Sequence, residues 1–198
     1  MHKVIGPKFF DRPTLTVAKD LLGKYLCRRI NGNPSTGLRA RTVALMITET
    51  EAYHGFKDLA SKARRGKTPG NLPMFAGPAT IYVYFTYGMH WMLNIVTERE
   101  EYPAAVLIRA AGGVVGPARL TKFLKIDKSL NTKKLGKTAG LWVEDRGAKV
   151  SPRNIKKTPR IGIAYAGEYV HKPWRFVIFP PSVGAAGYIR GGRLARRR

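Results

Sequence analysis

Two glutamates separated by one residue are the first chemically suggestive feature of the chain. Glu49 and Glu51 lie in the segment ITETEAY at 47–53, whose β-branched residues are typical of a strand. Because alternate residues of a strand share a face, Glu49, Glu51 and Tyr53 are expected to point the same way. Acidic residues are scarce in this basic chain, and a carboxylate that would repel a polyanion suits a general base that activates water. The alternative is that both glutamates pair with surface lysines and arginines.

A run of aromatic residues follows this segment. Tyr82 and Tyr84 are expected on one strand face, and rings of this kind stack on nucleic-acid bases at about 1–3 kcal/mol each. Tyr87 precedes a turn glycine, where its ring could wedge into a duplex in place of an extruded base. Ordinary core packing is the favoured interpretation for Phe85 and Trp91, and for Tyr87 both interpretations stay open.

Basic side chains near these segments could bind phosphate. Arg109 follows the apolar run AAVLI at 104–108. An arginine at the end of a buried strand needs an anion, which could be a phosphate or the carboxylate of Glu49 or Asp58. The basic cluster at 62–67 is expected to attract phosphate without reading sequence.

Several other chemistries are excluded by the residue pattern. The chain has four histidines and one cysteine, and neither C-x-x-C nor H-x-x-x-H occurs, so no metal site is predicted. The two GKT triplets, at 66–68 and 136–138, lack the earlier glycine that a P-loop requires. Neither a nucleophile elbow nor a dinucleotide fingerprint occurs, so no cofactor is predicted. A single cysteine allows no internal disulfide, which fits a reducing compartment.

Positive charge is the dominant bulk property of the sequence. The 198 residues include 36 lysines and arginines against 12 aspartates and glutamates, a net charge of +24. Such an excess indicates a polyanionic partner, with nucleic acid first and an anionic membrane surface second. The N-terminus lacks the apolar run of a signal peptide, and no stretch approaches the ~20 apolar residues of a membrane span. A protein that is not secreted and has no membrane anchor is therefore expected.

The hydrophobic pattern predicts one α+β domain that must position these residues. Helices are expected at 14–22, at 58–65 and from Gly116-Pro117 onward. Residues 67–78 are expected to be loop, and 79–96 a hairpin broken at Tyr87-Gly88. The domain is assigned to 1–183, and the arginine-rich segment 184–198 is expected to be a disordered tail. Further strands are expected at 24–30, 39–53, 104–110, 141–144, 160–165 and 174–179.

A series of short motifs occurs in order along most of the chain, from about Lys8 to Phe179. The most specific is YVYFTYGMH at 82–90, followed by Asn94. The others are FFD at 9–11, LLG at 21–23, ETEAY at 49–53, KTP at 67–69, MF at 74–75, VLIRA at 106–110, GP at 116–117, RIG at 160–162, AGE at 166–168 and KP at 172–173. In this order and over this length, the chain resembles the alkyladenine (3-methyladenine) DNA glycosylase family.

The resemblance implies an activity and an architecture. Such enzymes flip an alkylated or deaminated purine out of duplex DNA and hydrolyse its N-glycosidic bond with an activated water. The implied fold is a single mixed α/β domain around a curved antiparallel sheet, with a hairpin that projects into DNA. The implied partner is double-stranded DNA containing a damaged purine, bound by a monomer that needs no metal or cofactor. Its place would be the cytoplasm and nucleoid of a prokaryote or the nucleus of a eukaryote.

A protein of another class is the alternative: a basic, non-catalytic duplex-binding protein that keeps the glycosylase fold. The discriminating residues are Glu51 and Tyr53, which are both intact. A protein that only binds DNA would have little use for a carboxylate that repels phosphate. The two residues therefore favour the enzyme.

The resemblance also assigns roles to individual residues. Glu51 matches the general base and Arg109 a residue near the reacting water and the sugar phosphate, whereas Glu49 is not the catalytic member. The residues implied to hold the flipped base are Tyr53, Lys62, Tyr84, His90 and Asn94. The residues implied to bind DNA are Tyr87, as the wedge at the hairpin tip, with Met89, Arg64, Arg65 and Lys67.

Two features depart from the family pattern. Lys62 stands where the family has a histidine that helps to contact the flipped base. If that contact uses the backbone N–H, lysine suffices; if it uses the ring, base preference is expected to shift. The connection after Arg109, residues 111–115, is shorter than the family's, which removes possible DNA contacts.

Overall fold

Ten strands and three short α-helices make up the described part of the chain, residues 2–32 and 39–179 of the computed structural model. The strands are β1 (Lys3–Val4), β2 (Tyr25–Ile30), β3 (Arg41–His54), β4 (Ile81–Thr86), β5 (His90–Val96), β6 (Ala104–Ala111), β7 (Val114–Val115), β8 (Leu141–Asp145), β9 (Ile155–Thr158) and β10 (Arg175–Ile178). The helices are α1 (Pro7–Phe10), α2 (Thr14–Asp20) and α3 (Pro117–Phe123), with 3₁₀ turns at Leu72–Phe75, Lys128–Leu130, Pro152–Asn154 and Gly167–His171. The predicted α+β class is confirmed.

One antiparallel sheet contains all of these strands, in the order β1-β8-β2-β3-β6-β5-β4. Strand β7 pairs with β6, and β10 pairs with both β3 and β9. The 14-residue strand β3 is the centre: its first half pairs with β2 and its second half with β6 and β10. The register shifts on both sides of Glu49, an irregularity of the kind that bends a strand and re-aims its side chains.

The main hydrophobic core lies between this sheet and helices α2 and α3. Helix α2 packs on β3 and β6, and α3 on β5 and β6. Fully buried side chains such as Val17, Ile108 and Leu120 fill the interface. The Thr50 hydroxyl donates to the carbonyl of Ala18 at 2.8 Å and fixes β3 against α2. Since side chains of a strand alternate, the neighbours of Thr50 face away from this core.

Most elements predicted from the sequence are confirmed with shifts of a few residues at their ends. These are the first and third helices, the hairpin at 79–96 and the strands at 24–30, 39–53, 104–110, 141–144 and 174–179. Helix α3 illustrates why these predictions succeed. Pro117 is its first residue, as is common at helix starts, and Gly116 before it has φ of +98°, which other residues adopt with strain. The pattern missed β9, and the segment at 67–78 contains a 3₁₀ turn at Leu72–Phe75.

Two element predictions are wrong, and side-chain hydrogen bonds explain both. Residues 58–65 form consecutive turns rather than a helix, since the Asp58 carboxylate accepts from the backbone N–H groups of His54 and Ala60. Such bonds compete with helical ones. Residues 160–165 form no strand. The N–H of Ile161 donates to the Glu51 carboxylate instead of to a neighbouring strand.

The remaining expectations concern the domain boundary, membrane spans and metal sites. The assigned boundary at 183 and the basic tail at 184–198 lie outside the described residues. Within 2–32 and 39–179, no helix has the length and apolar character needed to cross a membrane. In the same ranges no three His, Cys, Asp or Glu side chains are grouped as metal ligands would be.

Candidate active site

A cavity of about 270 Å³ opens between strands β3 to β6 and the segment 161–165. It is slightly smaller than the ~300–1,000 Å³ typical of ligand pockets, a size that suits one flat heterocycle. Six of the residues assigned to the site by the resemblance line it, Tyr53, Lys62, Tyr84, Tyr87, Asn94 and Arg109, and Tyr82 lines it with them. A larger groove of about 1330 Å³ lies near β1 and α2, towards the opposite end of the sheet, and none of the predicted site residues lines it.

Glu51 lies directly behind the wall of this cavity, with no exposed surface. Its Oε1 accepts from the backbone N–H of Ile161 at 2.8 Å and lies 3.3 Å from Nη1 of Arg109. Its Oε2 accepts from the Tyr53 hydroxyl at 2.9 Å. All three partners line the cavity. The carboxylate is therefore oriented by two hydrogen-bond donors, Tyr53 and Ile161, and by one ion-pair partner, Arg109, and all three line the space that a ligand would occupy.

The surroundings of Glu51 set its basicity. Burial raises the pKa of the Glu51 carboxyl above its ordinary value, and the charge of Glu49 raises it further. Arg109, the Ile161 N–H and the Tyr53 hydroxyl act in the opposite sense and stabilise the ionised form. Burial also raises the pKa of Tyr53, so its hydroxyl stays protonated and can donate. The result is a buried carboxylate that is a stronger base than an exposed glutamate.

Glu49 is held by two arginines and does not face the cavity. Its Oε1 accepts from Nε of Arg109 at 2.8 Å and from Nε of Arg175 at 2.6 Å. Glu49 and Glu51 thus contact the same guanidinium, as expected for residues on one face of a strand. The alternative that both glutamates pair at the surface is wrong, since Glu49 is 5% exposed and Glu51 fully buried. Of the two carboxylate partners proposed for Arg109, the structure pairs it with Glu49, whereas Asp58 pairs with Arg160.

Tyrosines from two strands form part of the cavity lining. Tyr53 comes from β3 and Tyr84 from β4, and the ring of Tyr82 lies against that of Tyr84 with centroids 5.2 Å apart. The Lys62 ammonium lies 4.4 Å from the centroid of the Tyr84 ring. Tyr165 stands at the rim, 62% exposed. Sequence reasoning did not single out Tyr165, because no spacing rule connects it to the aromatic run of β4.

Arg160 is the functional residue for which the sequence offers the weakest indication. It forms a fully buried ion pair with Asp58, and its guanidinium stacks between the rings of Tyr53 and Trp174 at 4.7 and 5.0 Å. Its buried Nε has no hydrogen-bond partner among the described residues. The only available signal was its place in the RIG motif, since its partner Asp58 lies 102 residues away.

Asn94 is fixed in the floor of the cavity. It is 3% exposed, and its side-chain amide donates to the carbonyls of Tyr82 and Met92 at 3.3 and 3.4 Å. Strand β5 positions it, because Asn94 lies opposite Tyr82 in β4 and Leu107 in β6. A polar group at this depth restricts which base edge the cavity can accept.

The hairpin of β4 and β5 ends in exposed side chains. Tyr87 is 77% exposed and Met89 66% exposed, and Tyr87 adopts φ of +51°, a conformation that costs a non-glycine residue free energy. Tyr87 also lines the mouth of the cavity. His90 opens β5 opposite Thr86 and is not among the cavity-lining residues, so the structure does not bring it to the predicted base contact.

The three basic residues predicted to bind DNA have different surroundings. Arg64 and Arg65 line a second depression together with Ser61, Lys62 and Tyr165. The Arg64 guanidinium donates to the Leu59 carbonyl at 2.6 Å. Lys67 is exposed and forms an ion pair with Glu101. Arg64 and Arg65 therefore adjoin the cavity, whereas Lys67 already has an acidic partner.

The sequence of this chain matches a family profile and several known proteins. The methylpurine-DNA glycosylase (MPG) profile matches residues 8–114 and 113–180. A Methanocella arvoryzae protein, provisionally named 3-methyladenine DNA glycosylase, is 42% identical over 193 residues, covering 87% of this chain and 91% of its own. A Psychrobacter cryohalolentis protein of the same provisional name is 37% identical, covering 85% and 88%. Mouse DNA-3-methyladenine glycosylase is 35% identical over 204 residues, covering 88% of this chain and 59% of the mouse protein.

These matches agree with the resemblance seen in the motifs. They cover the segments that carry Glu51, the aromatic hairpin and Arg160. None of them favours a non-catalytic DNA-binding protein. The prediction of a DNA repair glycosylase is confirmed, and the chain belongs to the methylpurine-DNA glycosylase family.

Proposed function

We propose that this enzyme hydrolyses the N-glycosidic bond of alkylated purines, of the 3-methyladenine type, after flipping them from duplex DNA into the cavity between Tyr53 and Tyr84. The observation that carries the proposal is the placement of Glu51. A fully buried carboxylate stands behind an aromatic cavity, and its two hydrogen-bond donors and its ion-pair partner Arg109 all line that cavity. If the ion pair between Glu51 and Arg109 served only stability, it would require neither the adjoining cavity nor a second carboxylate, that of Glu49.

Glu51 acts as the general base. It orients a water molecule towards C1′ of the flipped nucleotide and accepts its proton as the O–C1′ bond forms and the N9–C1′ bond breaks. A purine alkylated at N3 or N7 carries a positive charge, so it leaves as a neutral base with the electron pair of the broken bond. Arg109 and the Ile161 N–H favour the ionised form of Glu51, against the effect of its burial. Catalysis then mainly requires that the nucleotide is extruded from the duplex, that the water is positioned and that the base fits the cavity.

The cavity walls recognise the base. The rings of Tyr53 and Tyr84 offer stacking surfaces, each contributing about 1–3 kcal/mol. Tyr53 has a second role, because its hydroxyl donates to Glu51 and so couples base stacking to the position of the general base. Asn94 supplies a polar contact at the floor, and Lys62 one at the mouth.

DNA is held around the cavity by a wedge and by charge. Tyr87 and Met89, both exposed at the end of the hairpin, fill the gap left by the extruded nucleotide. Arg64, Arg65 and Lys67 supply phosphate contacts, supported by the net charge of +24. The duplex partner, action as a monomer and a location in the nucleoid or nucleus belong to the same proposal.

The decisive experiment separates catalysis from binding. Glu51→Gln should slow single-turnover excision from an alkylated duplex by about 10²–10⁴-fold, the range expected for loss of a general base. Duplex affinity should be retained or increased, since the variant removes a negative charge. Glu168→Gln, an exposed glutamate in the turn Gly167–His171, is the control and should behave as wild type. Excision by Glu51→Gln within a few-fold of wild type would refute the assignment and favour the non-catalytic alternative.

A further inference from the structure

Lys62 leaves an uncompensated positive charge at the mouth of the cavity. Two cationic side chains line this cavity, Lys62 and Arg109. Arg109 is neutralised by Glu49 and Glu51. Within the described ranges of the chain, no carboxylate lies within salt-bridge distance of the Lys62 ammonium. The group that this ammonium approaches is the face of Tyr84, 4.4 Å from ammonium to ring centroid.

A base that stacks on Tyr84 must therefore meet this ammonium. Lysine carries three N–H donors on a flexible stem, so Lys62 can move aside from the ring and still reach the edge of the base. Partial loss of hydration at the cavity lowers the pKa of Lys62, which supports an ammonium that gains from a new acceptor. The Lys62 ammonium therefore interacts electrostatically with a base in the cavity, because both lie against the ring of Tyr84.

Two kinds of damaged purine respond to that charge in opposite ways. A purine with a fixed positive charge, such as one methylated at N7, is repelled by the ammonium. An uncharged purine with ring-nitrogen or carbonyl acceptors can accept its hydrogen bonds. When an uncharged purine leaves with the electron pair of the N9–C1′ bond, negative charge develops on the base, and a nearby ammonium stabilises it. The same side chain thus weakens one class of substrate and assists the other.

We propose that Lys62 is a specificity-determining residue that shifts excision towards uncharged modified purines with acceptors on their ring edge and away from purines with a fixed positive charge. The inference rests on the proposed function, because it assumes that the base enters this cavity. Lys62 also adjoins Arg64 and Arg65 in the neighbouring depression. A contact from Lys62 to a DNA phosphate is the competing role, and the test must separate the two.

Excision of two matched duplexes provides the first measurement. One carries hypoxanthine and the other 7-methylguanine at the same position in the same sequence. Lys62→Met keeps the length of the side chain and removes its charge; it should lower the single-turnover rate on hypoxanthine relative to 7-methylguanine by about 10-fold or more. Lys62→Arg keeps the charge and should retain the wild-type ratio. The control is Lys172→Met, whose ammonium lies 5.6 Å over Tyr169, outside the cavity lining.

Binding provides a second measurement that does not depend on catalysis. In the Glu51→Gln background, Lys62→Met should strengthen binding of the 7-methylguanine duplex relative to the hypoxanthine duplex. If this preference changes although wild type excises neither base, the inference on Lys62 stands and the proposed function fails. Equal losses on both duplexes with a shallower salt dependence would identify Lys62 as a phosphate contact and overturn the inference. Unchanged ratios in both measurements would overturn it as well.

Discussion

The guanidinium of Arg160 meets the carboxylate of Asp58 at two points, Nη1 to Oδ2 at 2.6 Å and Nη2 to Oδ1 at 2.7 Å. Both side chains are fully buried. The same guanidinium donates to the carbonyl of Ala52 at 2.8 Å and lies under the ring of Tyr53. The Asp58–Arg160 ion pair therefore connects three parts of the site: the turns that follow Asp58, the strand that carries Glu51, and the ring of Tyr53.

Asp58→Asn should be strongly destabilising. Removal of one partner leaves the Arg160 charge buried without a counter-charge, which typically costs about 3–5 kcal/mol of the free energy of unfolding. Urea denaturation at neutral pH measures this loss. The control is Asp20→Asn, because Asp20 pairs with Arg12 at 3.0 Å while both side chains stay partly exposed, at 46% and 35%. The control should cost less than about 1 kcal/mol, and equal losses would contradict a special role for the buried pair.

The pH dependence of excision should follow the ionisation of Glu51. Only the ionised carboxylate accepts a proton from water, so the single-turnover rate should rise with pH through a pKa above the ordinary glutamate value. Arg109 lowers this pKa and Glu49 raises it. Arg109→Gln should therefore move the midpoint to higher pH and Glu49→Gln to lower pH.

Excision from a duplex with a cationic purine is the suitable measurement for this pH profile, because departure of such a base needs no added proton. The exposed Arg153 in the turn Pro152–Asn154 offers a control, and Arg153→Gln should leave the midpoint in place. If Arg109→Gln and Glu49→Gln shift the midpoint in the same direction, the assignment of the profile to Glu51 is wrong.

The buried carboxylate should also cost stability at neutral pH. The pKa of Glu51 is higher in the folded state than in the unfolded chain, so the folded state binds more protons between the two values. Stability is then greatest below the unfolded pKa and is lost as the pH rises through the folded one. Glu51→Gln has no such dependence. Its stability relative to wild type should therefore increase from pH 4 to pH 8 in urea titrations, and a difference that is constant with pH would contradict this account.

Local rules were enough to predict part of the site from the sequence. The two-residue period of a strand placed Glu49 and Glu51 on one face, where both contact Arg109. The glycine after Tyr87 indicated the hairpin turn, and its tip is exposed as a wedge would be. These features depend on neighbours within a few residues, so a pattern can show them.

The rest of the site depends on contacts between distant segments. Asp58 holds its own segment in turns and pairs with Arg160, 102 residues later, so neither the failed helix nor the ion pair has a local signature. The apolar pattern at 160–165 indicated a strand, but the N–H of Ile161 donates to Glu51 across 110 residues. Sequence spacing cannot show which backbone group a buried carboxylate will bind.

The hairpin tip offers a test that separates a wedge from phosphate attraction. Tyr87 is held at φ of +51° with its ring 77% exposed, an arrangement that costs free energy without a packing gain in the free protein. If the ring fills the gap left by the extruded nucleotide, its contact is apolar and releases no counterions. Tyr87→Ala should then weaken binding to damaged duplex and reduce the flipped population, while the salt dependence of affinity stays unchanged.

The matched variant is Arg65→Ala, which removes an exposed charge beside the cavity. It should make the slope of log K against log[salt] shallower by about 0.9 for each phosphate that the protein no longer neutralises, with similar decreases in affinity for damaged and undamaged DNA. Fluorescence of a base analogue opposite or beside the lesion reports flipping, and affinity at several salt concentrations reports the slope. Because the two effects are independent, their free energies should add in the double variant. If Tyr87→Ala leaves flipping intact and flattens the slope, the hairpin binds the DNA backbone and Tyr87 is not the wedge.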